Sequence, residues 1–224
     1  MNLRCILDGP RDCAQNIALD EIVFTAENFK PTFRFYTWTQ AAYTIGYFQK
    51  FAEIKNEDNL PVIRRMTGGL TVLHDKDLSF SLIASDDIWP YIYEQEKSYK
   101  IIHENLRSSL AALGIICDGG GNFGHSKNNF SCVDTFYKDD LFLNGKKIAG
   151  SCQRRRGKRI LIEGSLHLHF DDKTQEKFAN IFFDGLAGVL KCTVTREHIS
   201  ETETEEASKL AAEKYAAEKW SRLF

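Results

Sequence analysis

The sequence predicts one α+β domain, in which mixed and largely antiparallel β-sheets are flanked by helices. One observation is the alternation of aromatic and polar residues over residues 32–38, TFRFYTW, which is typical of a β-strand. A second is the change to helical spacing of apolar residues over 98–115. The third is the order of the segments, because strands clustered in pairs with helices between the groups are typical of α+β proteins.

The first predicted helix covers residues 9–29. Its apolar residues recur at helical spacing, and Asp12 is suited to cap its N-terminus because a carboxylate accepts hydrogen bonds from backbone N–H groups. Pro31 ends this segment, and strand-like residues 32–49 follow. Within them, Gly46 is predicted to mark a bend or a close approach of two backbone segments.

Two short strands are predicted on either side of a glycine-containing loop. They are residues 61–65, PVIRR, and residues 77–85, DLSFSLIAS. The loop between them contains the sequence TGGL at 67–70. A helix over 98–115 follows, and Gly114 is a candidate for its C-cap because glycine readily adopts positive φ.

A β-hairpin is predicted at Asn144-Gly145, since both central positions of the preferred two-residue turn need positive φ. Lys147 stands just past this turn, and Cys132 precedes the hairpin. A fixed lysine and a cysteine are groups that acyl-transfer chemistry uses. A surface hairpin with a solvated lysine and a buried cysteine fits the same segment equally well.

A strand and two helices are predicted in the last part of the chain. Residues 154–159 form a basic turn, which either docks an acidic partner or is solvated. A strand over 160–170 and a helix over 172–184 follow. The charged segment 200–224 predicts a helix that starts near Ser200 or Thr202 and packs on the body or on a partner through the apolar side chains of Leu210, Ala211, Tyr215, Trp220 and Leu223.

Composition narrows the class of protein. The chain has 224 residues, 43% of them apolar and 27% charged, which is usual for a globular protein, and its net charge of −2 gives no basic field for nucleic acid. The absence of an apolar leader and of a long apolar run predicts a cytoplasmic protein without a membrane span. The six loosely spaced cysteines are expected to be free thiols. No metal site is predicted, because His167 and His169 alone are too few ligands.

Two groups of residues are candidates for chemistry. Arg64 and Arg65 precede a loop whose glycines allow backbone N–H groups near a ligand, so the segment is suited to phosphate or carboxylate, although a β-turn with solvated arginines is the alternative. Cys132 is a candidate nucleophile whose pKa a nearby ammonium group such as Lys147 would lower. The same lysine is equally suited to bind an acyl-adenylate, and Cys152 is a competing thiol.

His74 and Asp75 are neighbours on a predicted strand and therefore face opposite ways. A catalytic dyad between these two residues is not expected. His74 is instead predicted to pack or to form hydrogen bonds within its loop.

Several segments together resemble the biotin/lipoate protein ligase superfamily. The segment RRMTGGLTVLHDKDLSFSLI resembles its RRxTGG(x)AVxHD motif, and NGKKIAGSCQRR resembles its NGKKIxGSAQRR motif. GSLHL, NIALDE and TIGYFQ are similar to further family elements, and all occur in family order over roughly residues 9–170. The resemblance implies a class II synthetase-like catalytic domain over residues 1–199, with the helix at 200–224 belonging to it or contacting a partner.

The resemblance implies one of two chemistries. Lipoate–protein ligases of the A type use ATP and Mg²⁺ and hold an acyl-adenylate with the lysine found here at Lys147. The cysteine-dependent octanoyl/lipoyl transferases need no cofactor and pass the acyl group through a thioester on a cysteine, here Cys132. Leu70 replaces the third glycine of many ligases, which favours the transferase. Leu70, together with Glu163 in place of the histidine of the family's HGSL motif, keeps open a non-catalytic binding homologue.

The site that the resemblance implies has catalytic residues Cys132 and Lys147. Its substrate-binding residues would be Arg64, Arg65, Thr67, Gly68, Gly69, Leu70, His74, Gly150 and Ser151, with Phe80 and Leu82 lining the alkyl end. The implied donor is an acyl carrier protein, or free lipoate or octanoate. The implied acceptor is a lysine of a lipoyl-domain or GcvH-like protein, with neither nucleic acid nor membrane as a partner.

Overall fold

A mixed sheet forms the centre of the molecule in the computed structural model, which describes residues 2–119 and 137–224. Within that part of the chain the sheet has eight strands in the order β11-β1-β2-β6-β10-β9-β8-β7. In chain order they are β1 (Asn2–Arg11), β2 (Thr32–Trp38), β6 (Leu78–Ser85), β7 (Asp118–Gly119), β8 (Leu141–Leu143), β9 (Lys146–Arg156), β10 (Arg159–Leu166) and β11 (Thr193–Arg196). Among the described strands of this large sheet, only β1 with β2 and β1 with β11 pair in parallel, so the predicted mixed, largely antiparallel sheet is confirmed.

A smaller sheet completes the β-structure. Its central strand β3 (Ala42–Ile45) pairs in parallel with β4 (Val62–Arg64) and antiparallel with β5 (Val72–His74). The glycine-containing loop was predicted between strands at 61–65 and 77–85, but the sequence did not predict β5, so the loop connects β4 to β5 and lies at one end of this sheet.

Helices cover both faces of the large sheet. They are α1 (Cys13–Thr25), a 3₁₀ turn (Phe51–Glu53), α2 (Gln95–Ala111), α3 (Asp172–Leu190), α4 (Glu201–Leu210), a π-helical turn (Ala211–Tyr215) and α5 (Glu218–Ser221). Strand β10 shows how one sheet serves two cores, because its successive side chains point to opposite faces. Ile160 and Ile162 pack with α2 and α3, whereas Leu161 packs with α1 and the C-terminal helices. No helix in residues 2–119 or 137–224 is both long enough and apolar enough to cross a membrane.

Local signals predicted several element ends correctly. The Asp12 side chain accepts a hydrogen bond from the Gln15 backbone N–H at 2.8 Å and caps α1. Ser200 caps α4 in a reciprocal capping box with Glu203. The hairpin turn is confirmed by the positive φ of Asn144 (51°) and Gly145 (76°).

The predicted lengths of three helices were wrong. Helix α1 begins at Cys13 and not at residue 9, because β1 continues to Arg11 and pairs there with Trp38. Helix α2 begins earlier than predicted, at Gln95, and α3 continues beyond residue 184 to Leu190.

The C-terminal segment packs on the body of the domain. Ala211 and Tyr215 are buried against α1, and the Tyr215 hydroxyl donates a hydrogen bond to Glu21 at 2.6 Å. The Trp220 indole N–H donates to the backbone carbonyl of Arg64 at 2.7 Å. The segment thereby fixes the end of β4, from which the glycine-containing loop starts.

Candidate active site

A cavity of about 560 Å³ lies between the two sheets. A volume of this size is in the usual range for small-molecule sites. Its apolar wall includes Ile17, Tyr36, Trp38, Leu70 and Val72. Polar groups reach it from the β4–β5 loop and from strands β9 and β10, so both motif regions of the sequence meet at one place.

The β4–β5 loop lies directly against Gly46. A Cβ atom at Gly46 would stand 1.9 Å from the carbonyl oxygen of Gly69, so this position has no room for a side chain. The backbone N–H of Tyr47 donates to the Thr67 carbonyl at 2.8 Å. The predicted close backbone approach at Gly46 is therefore confirmed, and it fixes Gly68 and Gly69 at the cavity wall.

Lys147 points into this cavity and forms an ion pair with Asp140. The Nζ atom lies 2.6 Å from Oδ2 of Asp140, and the two side chains are 8% and 4% exposed. The pairing of β8 with β9 has a bulge at Ile148, which brings Lys147 and Gly150 to the same side of the strand. A Cβ atom at Gly150 would lie 2.8 Å from Cε of Lys147, so the glycine provides the space that the lysine side chain occupies.

Ser151 and His103 form a second polar pair. His103 is buried on α2, and its Nε2 atom lies 2.8 Å from the Ser151 hydroxyl oxygen. Its Nδ1 atom lies 2.6 Å from the Asp139 carbonyl oxygen. Burial lowers the pKa of His103, although the nearby Asp140 carboxylate acts in the opposite direction.

Glu163 is a buried carboxyl group at the cavity. One of its oxygens accepts a hydrogen bond from the Thr67 hydroxyl, whereas Oε1 has no hydrogen-bond partner among the described residues. Burial and then the negative charge of Asp20 raise the pKa of Glu163 to about 7. The sulfur atom of Cys152 lies 3.1 Å from the same Thr67 hydroxyl oxygen.

His74 packs and forms hydrogen bonds, as the sequence predicted, but it is the last residue of β5 and its partners extend beyond its own loop. Its Nδ1 atom lies 2.9 Å from Asp77 Oδ2, and its Nε2 atom lies 2.9 Å from the Thr44 hydroxyl oxygen. The partner is therefore Asp77 and not the adjacent Asp75. Burial opposes ionisation of Asp77, but His74 and hydrogen bonds outweigh it and lower the pKa of Asp77 below its ordinary value. His74 also stacks on Trp38, with ring centroids 4.1 Å apart, and both rings line the cavity.

The two adjacent arginines have different positions. Arg65 lines the cavity and donates to the carbonyl oxygens of Gly68 and Leu70 at 2.7 and 2.9 Å, so it shapes the loop from inside. Arg64 is fully buried elsewhere, and its guanidinium group donates to carbonyl oxygens of residues 46, 47, 49, 220 and 221. Neighbouring strand residues face opposite ways, which explains this separation.

Phe80 and Leu82 do not line the alkyl end of the cavity, so that expectation was wrong. Both are buried in the core beneath α2 and α3. A Cβ atom at Gly164 would lie only 2.2 Å from the Phe80 ring, which shows how closely that ring covers β10.

Most of the predicted binding residues meet at this cavity. Its lining includes Arg65, Gly68, Gly69, Leu70, His74, Lys147, Gly150 and Ser151. Thr67, at the start of the loop, is fully buried and does not line the cavity, and Cys132 lies outside the described residues. No group of three metal-ligating side chains is present in the ranges that the structure describes.

Sequence reasoning missed Asp140 and His103. Asp140 stands in the run KDD before β8, and no spacing rule marks it as the partner of Lys147. His103 interrupts a helical apolar stripe, and a buried polar residue on such a stripe is the signal that would have drawn attention to it.

The sequence matches one family model and several relatives. Residues 12–207 match the model of the lipoyl protein ligase A/B catalytic domain. The octanoyltransferase LipM of Clostridioides difficile is 38% identical over 180 residues, which cover 75% of this chain and 66% of that protein. The octanoyltransferase LipM of Brevibacillus brevis is 29% identical over an alignment of 270 positions that covers 97% of this chain and 98% of the relative.

Solved structures have a similar fold. A putative lipoate protein ligase from T. acidophilum with bound lipoic acid superposes with a TM-score of 0.77 at 25% identity, covering all of both chains. A lipoate-protein ligase A bound with ATP gives the same TM-score and identity, with 99% of each chain covered.

Proposed function

We propose that this chain, which belongs to the lipoyl protein ligase A/B catalytic domain family, is an octanoyltransferase. It would transfer an octanoyl group from an acyl carrier protein to a lysine of a lipoyl-domain or GcvH-like protein. The structural observation that supports acyl-group chemistry is the ammonium group of Lys147, which Asp140 holds at the wall of the cavity and which a ligase would also use. The names of the relatives from Clostridioides difficile and Brevibacillus brevis support the same activity.

The cavity provides different surroundings for the two ends of the acyl group. Ile17, Tyr36, Trp38 and Val72 offer apolar contacts to an alkyl chain. Lys147 offers positive charge, which stabilises the negative oxygen that forms when a thioester carbonyl is attacked. We therefore expect the alkyl chain to lie along the aromatic wall and the reacting carbonyl to lie near Lys147, at the start of β9.

Cys132 is the proposed nucleophile on the basis of its place in the sequence before the hairpin. In the first step its sulfur bonds to the acyl carbon, the donor's carbon–sulfur bond breaks, and the thiol proton passes to the departing thiolate. In the second step the acceptor amine bonds to the same carbon and the bond to Cys132 breaks. The amine loses one proton and the Cys132 thiolate gains one, so the enzyme is regenerated without a cofactor.

Intact mass spectrometry tests this proposal. The protein is mixed with octanoyl acyl carrier protein in the absence of ATP, and a gain of one octanoyl group that hydroxylamine removes is expected. Cys132→Ser should abolish the adduct, whereas Cys152→Ser should keep it and serves as the matched control. An adduct that persists in Cys132→Ser would move the nucleophile elsewhere. The absence of any adduct, together with ATP-dependent attachment of free octanoate and release of pyrophosphate, would establish a ligase instead.

A further inference from the structure

We propose that His103 and the Ser151 hydroxyl together accept the proton that the acceptor lysine loses during aminolysis. His103 is the positioning residue in this pair, since it acts through Ser151. The inference rests on the proposed octanoyl transfer and concerns its second step.

The contacts of His103 determine which of its nitrogens carries hydrogen. A carbonyl oxygen only accepts hydrogen bonds, so the Nδ1 atom, 2.6 Å from the Asp139 carbonyl, must be the donor. In the neutral ring Nε2 is then an acceptor, and the Ser151 hydroxyl donates to it at 2.8 Å. The lone pairs of the Ser151 oxygen are thereby left to accept a hydrogen bond from another donor, such as an amine.

Ser151 lies where two cavities meet. It lines the cavity that contains Lys147 and also a second one of about 920 Å³, which lies between the start of α2 and residues 137–140. Gln95, Tyr99 and Tyr137 line both cavities as well. A lysine side chain that enters through the second cavity therefore passes the Ser151 hydroxyl before it meets an acyl group held in the first.

The surroundings of His103 favour a reversible proton acceptor. Its titratable and charged neighbours are Tyr99 on α2, Asp139 and Asp140 before β8, and Lys147 on β9. Burial and the charge of Lys147 lower the pKa of His103, and the two aspartates raise it. Burial thus favours the neutral ring, while Asp140 offers compensating charge once the ring becomes protonated.

The proton transfers balance within the second step. As the amine nitrogen bonds to the acyl carbon, its proton passes to the Ser151 oxygen and the serine hydroxyl proton passes to Nε2 of His103. The carbon–sulfur bond then breaks to give the amide and the Cys132 thiolate. Release of the proton from His103 and uptake of one proton by the thiolate restore the starting state.

Two substitutions of His103 each keep one of its two hydrogen-bond contacts and remove the other. His103→Asn keeps a donor near the Asp139 carbonyl, whereas His103→Gln keeps an acceptor near Ser151, and neither supplies a basic imidazole. Octanoyl-enzyme is prepared and mixed with lipoyl domain in single-turnover experiments across a range of pH. In both variants the ratio of the aminolysis rate to the acylation rate should fall by roughly 10²–10⁴-fold, the usual contribution of a general base.

The pH profile provides a readout that a purely structural role would not change. The wild-type aminolysis rate should rise with pH through an inflection that belongs to His103, and this inflection should be missing in both variants. Ser151→Ala tests the same link from the serine side and should show the same selective loss. His169→Asn, at an exposed histidine that lines neither cavity, is the matched control and should behave as wild type.

The outcomes separate the two proposals. If His103→Gln keeps the wild-type rate and pH profile, His103 is not a proton acceptor and the inference is overturned. If wild-type protein forms no octanoyl-enzyme at all, the proposed function fails and the inference fails with it. Thermal unfolding of each variant identifies a loss that comes from misfolding, in which case Ser151→Ala decides the question.

Discussion

The Nζ atom of Lys147 lies 2.6 Å from Oδ2 of Asp140, and the two side chains are only 8% and 4% exposed. Asp140 also accepts a hydrogen bond from the Tyr137 backbone N–H at 2.8 Å, so it is fixed on both sides. A charge pair that is so enclosed holds the ammonium group in one position instead of letting it move through solvent. The orientation of the lysine toward the cavity thus depends on a residue outside the recognisable motifs.

Asp140→Asn is expected to destabilise the fold and to slow octanoyl transfer. Removing one partner of an enclosed ion pair leaves the other charge poorly compensated, at a cost of about 3–5 kcal/mol. The free energy of unfolding is measured with urea, and the transfer rate with octanoyl acyl carrier protein. The control is Asp140→Asn combined with Lys147→Met, which removes both charges and should be less destabilised than Asp140→Asn alone. Strictly additive effects would contradict a direct interaction.

Gly150→Ala is expected to reduce the transfer rate more than tenfold while leaving the fold intact. The added Cβ atom would lie 2.8 Å from Cε and 3.0 Å from Nζ of Lys147, so the lysine end must leave its present position. Steady-state kinetics measures the rate, and circular dichroism checks the fold. Gly188→Ala, on α3 with no atom within 4 Å of the new Cβ, is the matched control and should keep the wild-type rate. A Gly150→Ala protein of normal activity would show that the lysine position is not critical.

The parts of the structure that the sequence predicts are those determined by neighbours along the chain. The turn at Asn144-Gly145 and the cap at Asp12 follow from the conformational preferences of single residues, and both are present. His103 and Ser151 lie 48 positions apart, and their contact depends on how α2 packs against β9. No local pattern contains that information, because tertiary packing alone decides which buried polar groups meet.

Tertiary packing also explains why Arg64 and Arg65 have different surroundings. The sequence RR before the TGG loop offers identical side chains, and the family resemblance implied that both bind substrate. The pairing of β4 with β3 decides that Arg65 faces the cavity and Arg64 faces the C-terminal segment.

Arg64→Lys is therefore expected to act on stability. The guanidinium group donates to the carbonyl oxygens of Gly46, Tyr47, Gln49 and Ser221, a spread that a single ammonium group cannot span. Several unsatisfied carbonyl groups should cost about 2–4 kcal/mol in the free energy of unfolding. Arg65→Lys is the comparison, because it should chiefly raise KM for the octanoyl donor by disturbing the loop. A rise in KM in Arg64→Lys without loss of stability would instead indicate that Arg64 takes part in substrate binding.

Glu163→Gln is expected to change how stability depends on pH. Burial, followed by the charge of Asp20, raises the pKa of Glu163 in the folded protein from its ordinary value of 4.5 to about 7. Below pH 4.5 the carboxyl group is neutral in both folded and unfolded chains, so its full stabilising contribution is present. As the pH rises from 4.5 to about 7, the carboxyl group ionises in the unfolded chain before it does so in the folded protein. The free energy of unfolding therefore falls over this range, by about 3 kcal/mol at most.

A glutamine keeps the shape of Glu163 and an acceptor for Thr67 but cannot ionise. Glu163→Gln should therefore match wild-type stability near pH 4.5 and exceed it above pH 7, as measured by urea unfolding at each pH. The matched control is Glu206→Gln, at an exposed position on α4, where the slope with pH should stay as in wild type. Equal slopes for wild type and Glu163→Gln would mean that Glu163 is ionised in the folded protein. In that case its Oε1 atom, buried without a hydrogen-bond partner among the described residues, would need a cation or a bound donor to balance it.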